Sequence, residues 1–70
     1  MELHEIGENA GRIWQTLKEH GPLDFEKLLK NTGLDIRQAY LAIGWLARED
    51  KLALRQEQKH LVIDLKEDGQ

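Results

Sequence analysis

Cysteine is missing from all seventy residues, so no disulfide and no thiolate metal site can form. Serine is missing too. Thr16 and Thr32 are the only aliphatic hydroxyls, and neither lies in a nucleophile motif. The three histidines, His4, His20 and His60, are far apart in sequence, with no ligand or base partner at helical spacing. No glycine-rich phosphate loop is present. These gaps leave no constellation for metal, acid–base or covalent catalysis, and the expectation is a protein that is not an enzyme, with no cofactor and no small-molecule ligand. Apolar runs extend only a few residues, which excludes a helical membrane span. The acidic opening Met1-Glu2-Leu3-His4-Glu5 does not resemble a secretory signal, so a soluble cytoplasmic protein is expected.

What is present suits a small globular domain. Hydrophobic residues make up 40% and charged residues 33%, a balance of folded rather than disordered chains. Seventy residues make one domain, close to the size at which a single core is only just sufficient. The net charge of −3 is unevenly spread: residues 1–8 carry −3, residues 61–70 carry −2, and the middle carries +2. A weakly basic middle is compatible with nucleic acid, though it falls short of a strongly basic footprint.

Residues 1–6 read as an extended lead-in. From about Glu8 to His20, Ala10, Ile13, Trp14 and Leu17 recur at steps of three and four, which predicts an amphipathic helix with Trp14 in the core. Gly21-Pro22 stops it. Gly11 costs this helix about 1 kcal/mol relative to Ala and marks a place where another backbone could come close. A short second helix starts at the N-cap Asp24, buries Phe25, Leu28 and Leu29, and ends at Asn31-Thr32-Gly33. The third runs over about 35–49 from the N-cap Asp35, with Gln38 placed to complete a capping box. Its expected core stripe is Ile36, Ala39, Tyr40, Ile43, Leu46 and Ala47. Leu41 and Trp45 share the other face with Arg37, Gln38 and Arg48.

After Glu49-Asp50 the period changes to two. Leu52 and Leu54 alternate with Ala53 and Arg55; beyond Gln56-Glu57-Gln58-Lys59, Leu61, Ile63 and Leu65 alternate with Val62 and Asp64. This predicts a β-hairpin whose turn lacks the Asn-Gly or Asp-Gly signal. Residues 66–70 read as a frayed acidic tail. The fold class is therefore α+β, three helices followed by a C-terminal hairpin, the order of a winged helix-turn-helix domain.

Several runs sharpen this: Gly7-Glu8-Asn9-Ala10-Gly11 before Ile13-Trp14, then Gly21-Pro22-Leu23, then Ala42-Ile43-Gly44-Trp45-Leu46-Ala47-Arg48-Glu49-Asp50-Lys51-Leu52. In these the chain resembles, over nearly its whole length, a family of small stand-alone prokaryotic winged helix-turn-helix proteins of uncharacterised function. The resemblance implies the fold, and implies DNA binding by analogy with the wider superfamily.

In a DNA-binding reading, with a possible role in transcription, the third helix is the recognition helix. Arg37, Gln38 and Leu41 then face base edges, Arg suiting guanine and Gln suiting adenine. Lys27, Lys30, Arg55, Lys59 and His60 contact phosphates from the second helix and the wing. The plainer reading has Arg37 and Gln38 solvated, Gln38 capping its own helix, and the cations as ordinary surface charge. Leu41 and Trp45 have two placements: under the hairpin against Leu52, Leu54 and Ile63, or partly exposed with Arg48 as a self-association or protein interface. In either, Gly44 beside Trp45 leaves room for another element to come close. The second placement supports a protein-interaction or homodimerisation module that binds no nucleic acid. RNA is a weaker candidate, since no aromatic stacking platform falls on the strands.

Overall fold

The residues that start and stop each segment set the architecture. The computed structural model describes residues 2–66. In chain order the elements are α1 (Leu3–His20), β1 (Leu23–Asp24), α2 (Phe25–Thr32), α3 (Ile36–Arg48), β2 (Leu52–Glu57) and β3 (His60–Leu65). This is the winged helix-turn-helix order, three helices closed by a hairpin. Met1 and most of the expected tail, residues 67–70, lie outside the described residues.

α1 begins earlier than its apolar periodicity indicates. Leu3 to Ile6, expected to be extended, are helical: Ile6 N–H reaches Glu2 O at 3.1 Å, and Glu5 lies in the first turn, where a carboxylate is favoured by the helix dipole. The apolar spacing could not reveal this turn because Leu3 and His4 are exposed and packing does not define it. α2 is capped by Asp24, whose Oδ1 accepts from Lys27 N at 2.9 Å. It ends on Gly33 at φ 75°, ψ 9°, the left-handed position that glycine fills without strain.

α3 ends on a Schellman motif with an unusual occupant. Lys51 N–H bonds to Leu46 O and Asp50 N–H to Ala47 O, both at 3.0 Å, and Asp50 holds the left-handed position at φ 62°. A non-glycine residue there carries the Cβ strain that glycine avoids.

The hairpin pairs Leu52 with Leu65 through to Glu57 with His60, leaving Gln58-Lys59 as a two-residue turn. Gln58 takes φ 55°, so the positive φ such a turn requires is supplied without glycine. β3 is the centre of a three-stranded sheet ordered β1-β3-β2, and β1 adds Leu23 against Ile63 and Asp24 against Val62. The periodicity gives no sign of β1, since two residues have no measurable period.

The core is Ala10, Ile13 and Leu17 of α1, Leu28 of α2, Leu34, then Ala39, Ala42, Ile43 and Leu46 of α3, closed by Leu52 and Ile63. Two expectations are corrected here. The buried stripe of α3 runs through Ala39, Ala42, Ile43 and Leu46, while Ile36 is 56% and Tyr40 53% exposed and Ala47 also faces solvent. The helix is turned by about 50° from the orientation that maximises large apolar burial. The two alanines let α1 come close, and that tight packing outweighs burying Ile36 and Tyr40. Trp14, expected in the core, is 37% exposed on the flank of α1, with Lys18 Nζ 4.5 Å from its ring centroid.

One buried group is unsatisfied among the described residues: the amide nitrogen of Asn9, on the inner side of α1. A donor left without a partner costs about 1–3 kcal/mol. Asn9→Leu, with the same side-chain branching and a better helix former, is expected to raise stability by about 1 kcal/mol in denaturant melts where the site accommodates the larger isopropyl group. Asp50→Gly is expected to stabilise by up to about 1 kcal/mol by relieving the left-handed position. A lower midpoint for Asn9→Leu would show that the amide has a partner of its own, and for Asp50→Gly that the Asp50–Lys66 ion pair outweighs the left-handed strain.

Candidate nucleic-acid interface

α2 and α3 are joined by Gly33-Leu34-Asp35, and three contacts fix that turn. Leu34 is buried, Thr32 Oγ1 accepts from Leu34 N at 3.3 Å, and Arg12 of α1 donates from Nη1 to Thr32 O at 3.2 Å. Asp35 then starts α3 with a full capping box. Gln38 N donates to Asp35 Oδ1 at 2.8 Å, and Asp35 N donates to Gln38 Oε1 at 3.0 Å. Phe25 at the head of α2 stacks on Tyr40 at 4.6 Å between centroids and 14° between planes. This ties the outer sides of the two helices together.

With the alanine side of α3 turned inward, Arg37, Leu41, Gly44 and Arg48 fall within an arc of about 60° on the outer side. All four are exposed, Leu41 at 47%, and Tyr40 borders them. Residues 36–48 contain two arginines and no carboxylate. Among the described residues neither Arg37 nor Arg48 has an ion-pair partner. A Cβ built on Gly44 would meet nothing within 4 Å, so this helix glycine, which costs about 1 kcal/mol, has no packing reason inside the chain. It leaves the middle of the stripe open to a close neighbour.

The other candidate residues divide by environment. Lys27 and Lys30 are exposed on α2, and Lys59 stands in the wing turn beside exposed His60. Arg55 is held by Glu57 on the same strand at 2.9 Å, which offsets its charge. Gln38 has given Oε1 to the cap, so only its amide nitrogen remains for a bidentate contact with adenine. Trp45 does not take the first of the two placements expected of it; it stays partly exposed. It is half-buried against α1, its ring edge 3.7 Å from where a Cβ on Gly7 would lie, and not beneath the hairpin. Leu54 is itself exposed.

Tyr40 and Ile36 are the members of this surface that sequence reasoning missed. Their signal was the pair Ala39 and Ala42, whose small size marks the side of closest packing. Among the described residues no three His, Asp or Glu side chains gather as a metal site, and no helix is long and apolar enough to cross a membrane.

A helix-turn-helix with an exposed, acid-free second helix and a two-stranded wing defines a winged helix-turn-helix domain, a fold often used to bind DNA. Over residues 1–65 the chain belongs to the family described as Winged helix-turn-helix domain (DUF2582). It is 42% identical over 64 residues to "Uncharacterized protein MJ1608" of Methanocaldococcus jannaschii, spanning 89% of this chain and 91% of that protein. The solution NMR structure of protein BT2368 from Bacteroides thetaiotaomicron superposes with a TM-score of 0.83 at 31% identity, covering 93% of this chain and 79% of the other.

The capping box makes its own prediction. Asp35→Ala is expected to lower stability by about 1 kcal/mol, read as a lower chemical-denaturation midpoint. No change would mean that the Leu34 and Arg12 contacts hold the turn without it.

Proposed function

We propose that this protein binds double-stranded DNA by laying the outer stripe of α3 in the major groove, and that it serves as a cytoplasmic regulator of transcription. One observation carries the reading: Arg37, Leu41, Gly44 and Arg48 form an exposed line with two arginines and no acid, opposite the packed side of the helix. Arg37, near the N-terminal end that reaches deepest in such docking, is suited to guanine O6 and N7. Gly44 lets the helix axis approach the groove wall. Lys27 and Lys30 from α2, Arg48 from the far end of α3 and Lys59 from the wing hold phosphates, with His60 beside them. The carboxylate of Asp35 would repel a phosphate, but it is occupied by Gln38 N–H.

A protein-interaction role has separate support from another side of the molecule. Leu3, Trp14 and Trp45 leave an apolar groove open beside α1.

Fluorescence anisotropy with a labelled random-sequence duplex tests the DNA reading. Binding should be tightest at low salt, with log K falling against log salt at a slope of about −3 to −5, since each phosphate contact contributes about −0.9. Arg37→Ala should weaken binding about tenfold or more, and Lys59→Ala should flatten the slope by about one contact. Gly44→Ala should melt at higher temperature yet bind less tightly. Salt-independent binding, or none at submillimolar duplex, would reject the reading.

A further inference from the structure

Beside α1 lies a groove of about 250 Å³ lined by Gly7, Gly11, Trp14, Trp45 and Leu46, with Glu49 and Lys51 at its rim. Past Gly7 and Trp45 it runs into a second depression bordered by Leu3, His4 and Glu8. Leu3 is 72% exposed. Leu3, Gly7, Gly11, Trp14 and Lys18 fall within about 80° of one another around α1, on a flank that, among the described residues, only the edge of Trp45 at Gly7 meets. A Cβ on Gly11 would meet nothing within 4 Å. The close approach that this glycine permits is therefore not made among the described residues.

We infer that this flank is a homodimer interface, in which α1 of one copy packs antiparallel on α1 of the other. The choice of a second copy rests on self-complementarity in shape and charge. The stripe carries a protruding ring, Trp14, and a side-chain-free notch between Gly7 and Gly11. A two-fold axis crossing α1 beside residues 11 and 12 sets each Trp14 over the other copy's notch, satisfying both ends at once as an isologous contact requires. Charge follows the same symmetry. Residues 2–8 carry Glu2, Glu5 and Glu8 with no Lys or Arg, whereas residues 12–18 carry Arg12 and Lys18 with no acid. Antiparallel pairing about that axis brings Lys18 within one turn of the partner's Glu8, which flanks the stripe, and sets the two helix dipoles head to tail. Parallel pairing would align like charges. The α3 stripe of Arg37, Gly44 and Arg48 is not part of this contact, so the dimer stands or falls independently of DNA binding.

Sedimentation equilibrium of the full chain, without DNA, over micromolar to submillimolar concentration tests this. The wild type should sediment at twice the chain mass. Gly11→Gln fills the notch with a better helix former and faces open space, so it should fold with an unchanged or higher melting temperature and dissociate at least tenfold more readily. Lys18→Glu should likewise favour monomer, and the swap Glu8→Lys with Lys18→Glu should restore the dimer. A wild-type monomer throughout would overturn the inference. So would a dimer whose dissociation constant is unmoved by both Gly11→Gln and Lys18→Glu, since it would use another face.

Discussion

Ala39 and Ala42 are wholly buried on the inner side of α3, the helix that packs most extensively on α1, and this orientation of α3 decides which residues remain outside. Ala10, Ile13 and Leu17 supply the buried apolar side of α1. Rotating α3 to bury Ile36 and Tyr40 would withdraw the alanines and force the axes apart, losing contacts along the full length of the seam. With α3 fixed in this orientation, Arg37, Leu41, Gly44 and Arg48 must face solvent. The alanine seam thus selects which stripe of α3 is left exposed.

Around that seam the chain is held by short-range devices at each junction. Arg12 crosses from α1 to the carbonyl of Thr32, the capping box fixes the start of α3, and the Schellman motif turns the chain into β2. β3 closes the structure: its far end meets the α3–β2 junction where Lys66 N bonds to Lys51 O at 2.9 Å and Lys66 Nζ to Asp50 at 2.6 Å. The exposed ion pair adds little stability in itself. The backbone bond at the same place sets the register at which the sheet ends.

Much of the fold was readable in the amino-acid order because its signals are local. Asp24 and Asp35 cap, Gly33 stops a helix, and the change of period after Asp50 announces strands. The surface was only partly readable. In α3, nine of the fourteen residues from Ile36 to Glu49 are apolar and spread around most of the circumference, so periodicity leaves the rotational phase open. Only packing against α1 chooses it. Trp14 was misplaced for a related reason: a large ring at helical spacing satisfies a core pattern equally well from the edge of that core. β1 exists only through pairing with Ile63 and Val62, some forty residues later, which no local pattern encodes. Gly11 was the reverse case, since its reading as a point of close approach could be seen in the sequence and its open surroundings only in the structure.

Both tryptophans, Trp14 and Trp45, line the same groove, and the sole tyrosine stands by the other surface, stacked on Phe25. The intrinsic indole emission is consequently a built-in optical probe of one side of the molecule. A shift to shorter wavelength reports water leaving the α1 groove, and quenching by iodide or acrylamide reports ring accessibility there, neither requiring an attached dye. A ligand that touches only Arg37, Gly44 and Arg48 should leave that signal nearly silent, so a single cuvette can distinguish which face has been engaged.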